Sequence, residues 1–172
     1  HLKRVKLVIF DWDGTLVSSI EHITASLAYA AEQLGLPGRS PVALKQVIGL
    51  GMKEAIEGIY PGLDDTRIEA FREHYADRFF QKVTDASDFY VGALPFVEKL
   101  KAKGYRLAIA TGKSRRGMEK AFDSTGVRDL FEYSVCADES VSKPDPQMLY
   151  EVLENFSLTP DEAVMSGDSI YD

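Results

Sequence analysis

What most constrains this chain is the run Leu7-Val-Ile-Phe10 and the residues that follow it without a gap, Asp11-Trp-Asp13-Gly14-Thr15-Leu16. Consecutive branched and aromatic apolar residues over so short a span read as a strand buried on both faces, as in a parallel sheet. In open parallel sheets, ligands gather just beyond the carboxyl ends of the strands. That position here holds two carboxylates separated by one residue, and on extended backbone both would point to one side. Like charges so placed repel unless a cation sits between them or one takes a proton. Gly14 lets the backbone turn tightly beside them. Alone, Asp-Trp-Asp-Gly also reads as a solvated turn. A divalent cation and a phosphate suit it better than a core does.

The segment after this run is nearly all helical by pattern. Ser18 or Ser19 is placed to cap a helix with Ile20, Ile23, Leu27, Ala30 and Leu34 on one face. Ser40-Pro41 opens a second helix, Gly49-Leu50-Gly51 interrupts, and a third short helix runs to about Tyr60. Asp64 or Asp65 then caps the longest helix, with Ile68, Phe71, Tyr75 and Phe79 on one face. From Tyr90 the rhythm changes to helices alternating with apolar runs at Arg106–Ala110, Tyr133–Ala137 and Ala163–Ser166. Such alternation implies a parallel sheet covered by helices, with the helical segment inserted between two pieces of it.

Each later strand also ends in polar residues: Thr111-Gly112-Lys113, then Asp138-Glu139 with Lys143-Pro144, then Gly167-Asp168-Ser-Ile-Tyr-Asp172. Parallel strands put their carboxyl ends on one edge, so these groups should converge with Asp11 and Asp13. The neighbouring cations Lys113, Arg115 and Arg116 read as a solvated first helical turn.

These four stretches, in this order, resemble the haloacid dehalogenase superfamily of phosphotransferases, most closely the branch containing phosphoglycolate phosphatase and β-phosphoglucomutase. The resemblance implies an α/β fold, with a Rossmann-like core at residues 1–16 and 90–172 and a small helical cap at 17–89. It implies Asp11 as nucleophile and Asp13 as general acid and base. Mg²⁺ would be held by Asp11, the Asp13 backbone carbonyl and Asp168, with Asp172 acting behind them. Thr111, Gly112 and Lys143 would bind the phosphoryl group. Gly49, Leu50 and Gly51 would face the site from the cap. The implied substrate is a small phosphorylated metabolite, and the protein a monomer or homodimer. Thr15 favours a phosphatase; a phosphomutase, or a binding protein that keeps the fold without turnover, are the alternatives. A dehalogenase is unlike it, since those enzymes lack the acid at Asp13. Family members usually continue past the fourth motif with a helix and a strand, so a sheet stopping at Asp172 is expected to lack an edge element.

The net charge of −7 over 172 residues argues against general binding of nucleic acid or an anionic membrane. No apolar run has the length of a membrane span, and nothing resembles a signal peptide. The first residue, His1, reads as a processed or engineered start. The single cysteine, Cys136, lies in an apolar run and points to inert core and a cytoplasmic setting. His22 and His74 fall within helical patterns, so no histidine metal site is expected.

Overall fold

The apolar runs form four parallel strands, β1 (Leu7–Phe10), β2 (Arg106–Thr111), β3 (Tyr133–Cys136) and β4 (Ala163–Ser166), in the order β3-β2-β1-β4. The computed structural model describes residues 4–172, so His1 lies outside them. Register pairs Leu7 with Arg106 and with Ala163, which makes β1 a central strand flanked on both sides. Alternation then sends successive side chains to opposite faces. Leu7, Ile9, Ala108 and Ala110 pack under helix α7 (Gln147–Phe156), against Met148, Val152 and Phe156. Phe10, Leu107 and Ile109 pack on the other face with Val97 of α5 (Ala93–Ala102) and with Met118 and Phe122 of α6 (Arg115–Thr125). Trp12 extends that second layer, meeting Phe89, Phe122 and Phe131 edge to face. The expected α/β core is therefore present. Its β4 edge is unpaired among the described residues, with Val164 half exposed.

Between β1 and α5 lie α1 (Ile20–Gln33), α2 (Pro41–Lys45), α3 (Met52–Ile59) and α4 (Asp65–Phe79). Their starts follow the sequence chemistry. Ser40 Oγ accepts the Ala43 N–H with Pro41 in the first turn, and Asp64 accepts the Arg67 N–H at 2.8 Å. Ser114 caps α6 in the same way, and Gly126, at φ +73°, ends it. These helices bury a cluster of their own, including Leu27, Ala30, Ile56, Ile68 and Phe71. His22 is satisfied structurally, with Nε2 2.8 Å from the Phe79 carbonyl.

The chain crosses between core and helices twice, and the crossings run side by side. The Ser18 N–H donates to the Asp88 carbonyl at 2.8 Å, and the Tyr90 N–H donates to the Leu16 carbonyl at 2.9 Å. Val17 and Phe89 form an antiparallel bridge between them.

Because Phe71 is fully buried among the inserted helices, Phe71→Ala should lower unfolding free energy by about 3–5 kcal/mol. Ser40→Ala, which removes only a cap, should cost about 1 kcal/mol. Urea unfolding of the two variants checks both values.

Candidate active site

All four strand ends deliver polar residues to one edge, as the sequence requires. Asp11 follows β1 directly and is 2 % exposed. One of its oxygens accepts the Trp12 N–H at 2.9 Å and lies 3.2 Å from the Lys143 ammonium. The other oxygen, Oδ2, is buried with no hydrogen-bond partner. Lys143, from the loop after β3, also reaches Asp172 Oδ1 at 2.5 Å. Burial pushes the Asp11 carboxyl up to about 7; Lys143 opposes the rise, and the Asp172 and Asp13 charges add to it.

Asp11, Asp168 and Asp172 each offer an oxygen within 4.8 Å of the others. Two glycines make that approach possible. A Cβ on Gly14 (φ +80°) would lie 2.2 Å from Asp168 Oδ2, and one on Gly167 would lie 2.2 Å from Asp172 Oδ2. Thr15 Oγ1 donates to Asp168 at 3.2 Å, which orients that carboxylate. A set of hard oxygen donors that includes one buried, unpartnered carboxylate oxygen fits a divalent cation such as Mg²⁺. The Asp13 side chain is outside this set.

Asp13 instead accepts a 2.7 Å hydrogen bond from Ser19 Oγ, and both its oxygens lie within 3.4 Å of the Lys113 ammonium. Two sequence readings change here. Ser19 occupies the cap position of α1 but makes no capping bond with its side chain; its hydroxyl is spent on Asp13. The basic cluster is not a solvated turn: the Lys113 side chain is only 10 % exposed. Arg115 is likewise engaged, 2.7 Å from Glu139. Arg116 alone remains exposed, over the Phe80 ring at 4.9 Å. A long side chain next to a strand end can turn back over the edge, and spacing along the chain does not reveal which way it turns.

Thr111 is buried, and its hydroxyl oxygen accepts the Lys113 N–H at 3.1 Å, leaving its proton free to donate elsewhere. Gly112 lies against the loop between α2 and α3. A Cβ there would fall 2.5 Å from the Gly49 carbonyl oxygen and 2.6 Å from that of Leu50. Gly51 is equally tight against Ser142 Oγ. Gly49, Leu50 and Gly51 thus border the strand ends and line the adjoining cavity.

A cavity of about 690 Å³ opens between strand ends and helices, reached by Asp11, Asp13, Thr111, Leu50, Tyr75 and Phe79. Tyr75 and Phe79 share a helical face with Ile68 and Phe71, as the spacing predicts; all four pack in the helical cluster, and Tyr75 and Phe79, only partly buried, also line the cavity. Burial and the Asp13 charge hold the Tyr75 hydroxyl above its ordinary range. Cys136 is fully buried, and burial pushes its thiol up to about 12, so it is no nucleophile.

The family model for haloacid dehalogenase-like hydrolases matches residues 8–172. A phosphoglycolate phosphatase of Nitrosococcus oceani is 30% identical over 179 residues, covering 99% of this chain and 79% of that protein. A pyrophosphatase PpaX of Bacillus velezensis is 30% identical over 172 residues, covering 99% and 77%. In fold, a hydrolase from Pseudomonas syringae superposes with a TM-score of 0.85 at 20% identity, over 97% of this chain and 77% of that one. No helix among the described residues is long and apolar enough to cross a membrane.

The seat of the loop on Gly112 is itself testable. Gly112→Ala places a methyl group against two backbone carbonyls, an overpacking that costs about 1–3 kcal/mol and is relieved by withdrawal of the loop. Hydrogen exchange should accelerate over residues 47–52 and stay unchanged in β2. Unchanged exchange over 47–52 would show that the loop does not rest there.

Proposed function

Because the chain belongs to the haloacid dehalogenase-like hydrolases, we propose that it is a Mg²⁺-dependent phosphatase that hydrolyses a small phosphorylated metabolite through an aspartyl-phosphate on Asp11. The relatives named above point to the same class, phosphomonoesters and related phosphates of small anionic molecules. The observation that carries this reading is the Asp11 carboxylate: one oxygen oriented by the Trp12 N–H beside Lys143, the other buried without a donor.

In this mechanism an Asp11 oxygen attacks phosphorus in line, forming an O–P bond as the ester P–O bond breaks. Asp13 gives its proton to the departing oxygen, which leaves as an alcohol. Asp13 then takes a proton from water, which attacks the aspartyl-phosphate, releases inorganic phosphate and restores Asp11. The Thr111 hydroxyl and Gly112 N–H hold phosphoryl oxygens. Lys143 offsets the charge crowded onto nucleophile and phosphate, a preorganised contribution that needs no rearrangement during reaction. Asp172 holds the Lys143 ammonium from behind. Asp11, the Asp13 carbonyl and Asp168 would hold Mg²⁺, which when bound neutralises phosphoryl charge. Residues 17–89 serve as a cap over a core of residues 1–16 and 90–172. Its Gly49–Gly51 loop and the Tyr75–Phe79 end of α4 surround the leaving group and keep bulk water from it.

Asp11→Asn keeps the shape and removes charge and nucleophilicity, so phosphate release should fall to background. Lys143→Ala should lower kcat about 10²–10³-fold, the cost of losing one preorganised donor, with folding checked by circular dichroism. Release of phosphate from a panel of phosphoglycolate, pyrophosphate and sugar phosphates, with Mg²⁺ and with excess chelator, supplies the assay. Full turnover in chelator would overturn the metal assignment. Conversion of a sugar phosphate into its isomer without phosphate release would reassign the chain as a mutase.

A further inference from the structure

Lys113 has no part in the mechanism above, yet it is nearly enclosed. Its ammonium stands 3.3 Å from Asp13 Oδ2 and 3.4 Å from Oδ1. On its other side it lies over the Phe79 ring, 4.8 Å from the centroid. One side chain of the core edge therefore touches both the acid–base carboxylate and the last residue of α4. The Phe79 ring is not free to turn away. It stacks on Tyr75 at 5.4 Å, lies 4.6 Å from the His22 ring, and its carbonyl meets His22 Nε2. The Asp13 carboxylate is similarly fixed, with Ser19 Oγ donating at 2.7 Å. A desolvated ammonium in contact with both a carboxylate and an aromatic face gains from both.

We propose that Lys113 is a positioning residue that bridges Asp13 to Phe79, so that the acid–base carboxylate is held in its working orientation only while the C-terminal end of α4 is seated on the core edge. This rests on the reading of Asp13 as proton donor and acceptor. The rate then depends on a residue of the inserted helices that touches no reacting atom. Proton transfer tolerates little misplacement, so loss of the bridge acts on the chemical step more than on binding.

The test is a mutant cycle read alongside lysine labelling. Lys113→Met should lower kcat about 10²-fold, with KM within about threefold and melting temperature close to the parent's. Lys113→Arg, which keeps a cation for both contacts, should recover most of the rate. Phe79→Leu should lower kcat about fivefold more than Phe79→Tyr, which keeps the aromatic face for the Lys113 ammonium. In an Asp13→Asn background, adding Lys113→Met should change the residual rate by less than about twofold, because the bridge has nothing left to position. Effects that multiply instead would overturn the proposal while leaving the phosphatase assignment intact.

Labelling reads the bridge without turnover. Acylation by acetic anhydride, followed by mass spectrometry, should modify Lys113 far more slowly than the exposed Lys103, and Phe79→Leu or Asp13→Asn should abolish that protection. Equal labelling of Lys113 and Lys103 in the parent would overturn the proposal even if the parent hydrolysed nothing. A Lys113→Met variant that fails to fold leaves Phe79→Leu and the labelling to decide.

Discussion

The strand-end edge is built around one buried ammonium held between two buried carboxylates. Lys143 lies 3.2 Å from Asp11 and 2.5 Å from Asp172, and the three side chains are 5 %, 2 % and 6 % exposed. Removing three charges from water carries a penalty that mutual attraction repays only when the geometry is good and the remaining lone pairs are satisfied. Here one lone-pair site is not: Asp11 Oδ2 has no donor. The group also carries net negative charge, with Asp168 close by. Burial pushes the Asp11 carboxyl up to about 7 even though Lys143 opposes the rise. Each member comes from a different strand end, so the parallel sheet is what brings them together.

Backbone at this edge is as constrained as the side chains. Gly14, Gly167 and Gly112 each stand where a methyl group would collide, the first two with the Asp168 and Asp172 carboxylates and the third with the carbonyls of Gly49 and Leu50. The turn needed by Gly14 at φ +80° and the space needed by Asp168 are met by the same residue. Sequence motifs of this kind are dense because the acids must come close to the chain that carries their neighbours.

The core was largely legible in the sequence because its strands are short apolar runs bounded by turn residues, and its helices carry caps such as Ser40, Asp64 and Ser114. The convergence of Asp11, Thr111, Lys143 and Asp168 follows from parallel topology alone. What escaped was decided by packing between segments distant along the chain. Ser19 stands where a cap belongs, and nothing local says that its hydroxyl prefers Asp13 to a backbone amide. Lys113 reads as a surface cation until Phe79, from a helix ending 34 positions earlier, is laid over it. The α4 face carries one period but two environments, core at Phe71 and cavity at Phe79, a change set by where the helix bundle ends.

That last distinction bears on how the two halves work together. The inserted helices and the sheet have separate apolar clusters. Their meeting at the α4 end relies on cations over rings: Lys113 on Phe79, and Arg116 and Lys120 on Phe80. Each such contact is worth about 0.5–2 kcal/mol, against the several kcal/mol at stake when one core aromatic is lost. The cation–ring contacts of this seam are individually weaker than the packing of either core. The paired crossings at Leu16–Ser18 and Asp88–Tyr90 are hydrogen-bonded to each other and join the two halves side by side. The contact that joins the α4 end to the sheet edge, Phe79 on Lys113, also touches the Asp13 carboxylate.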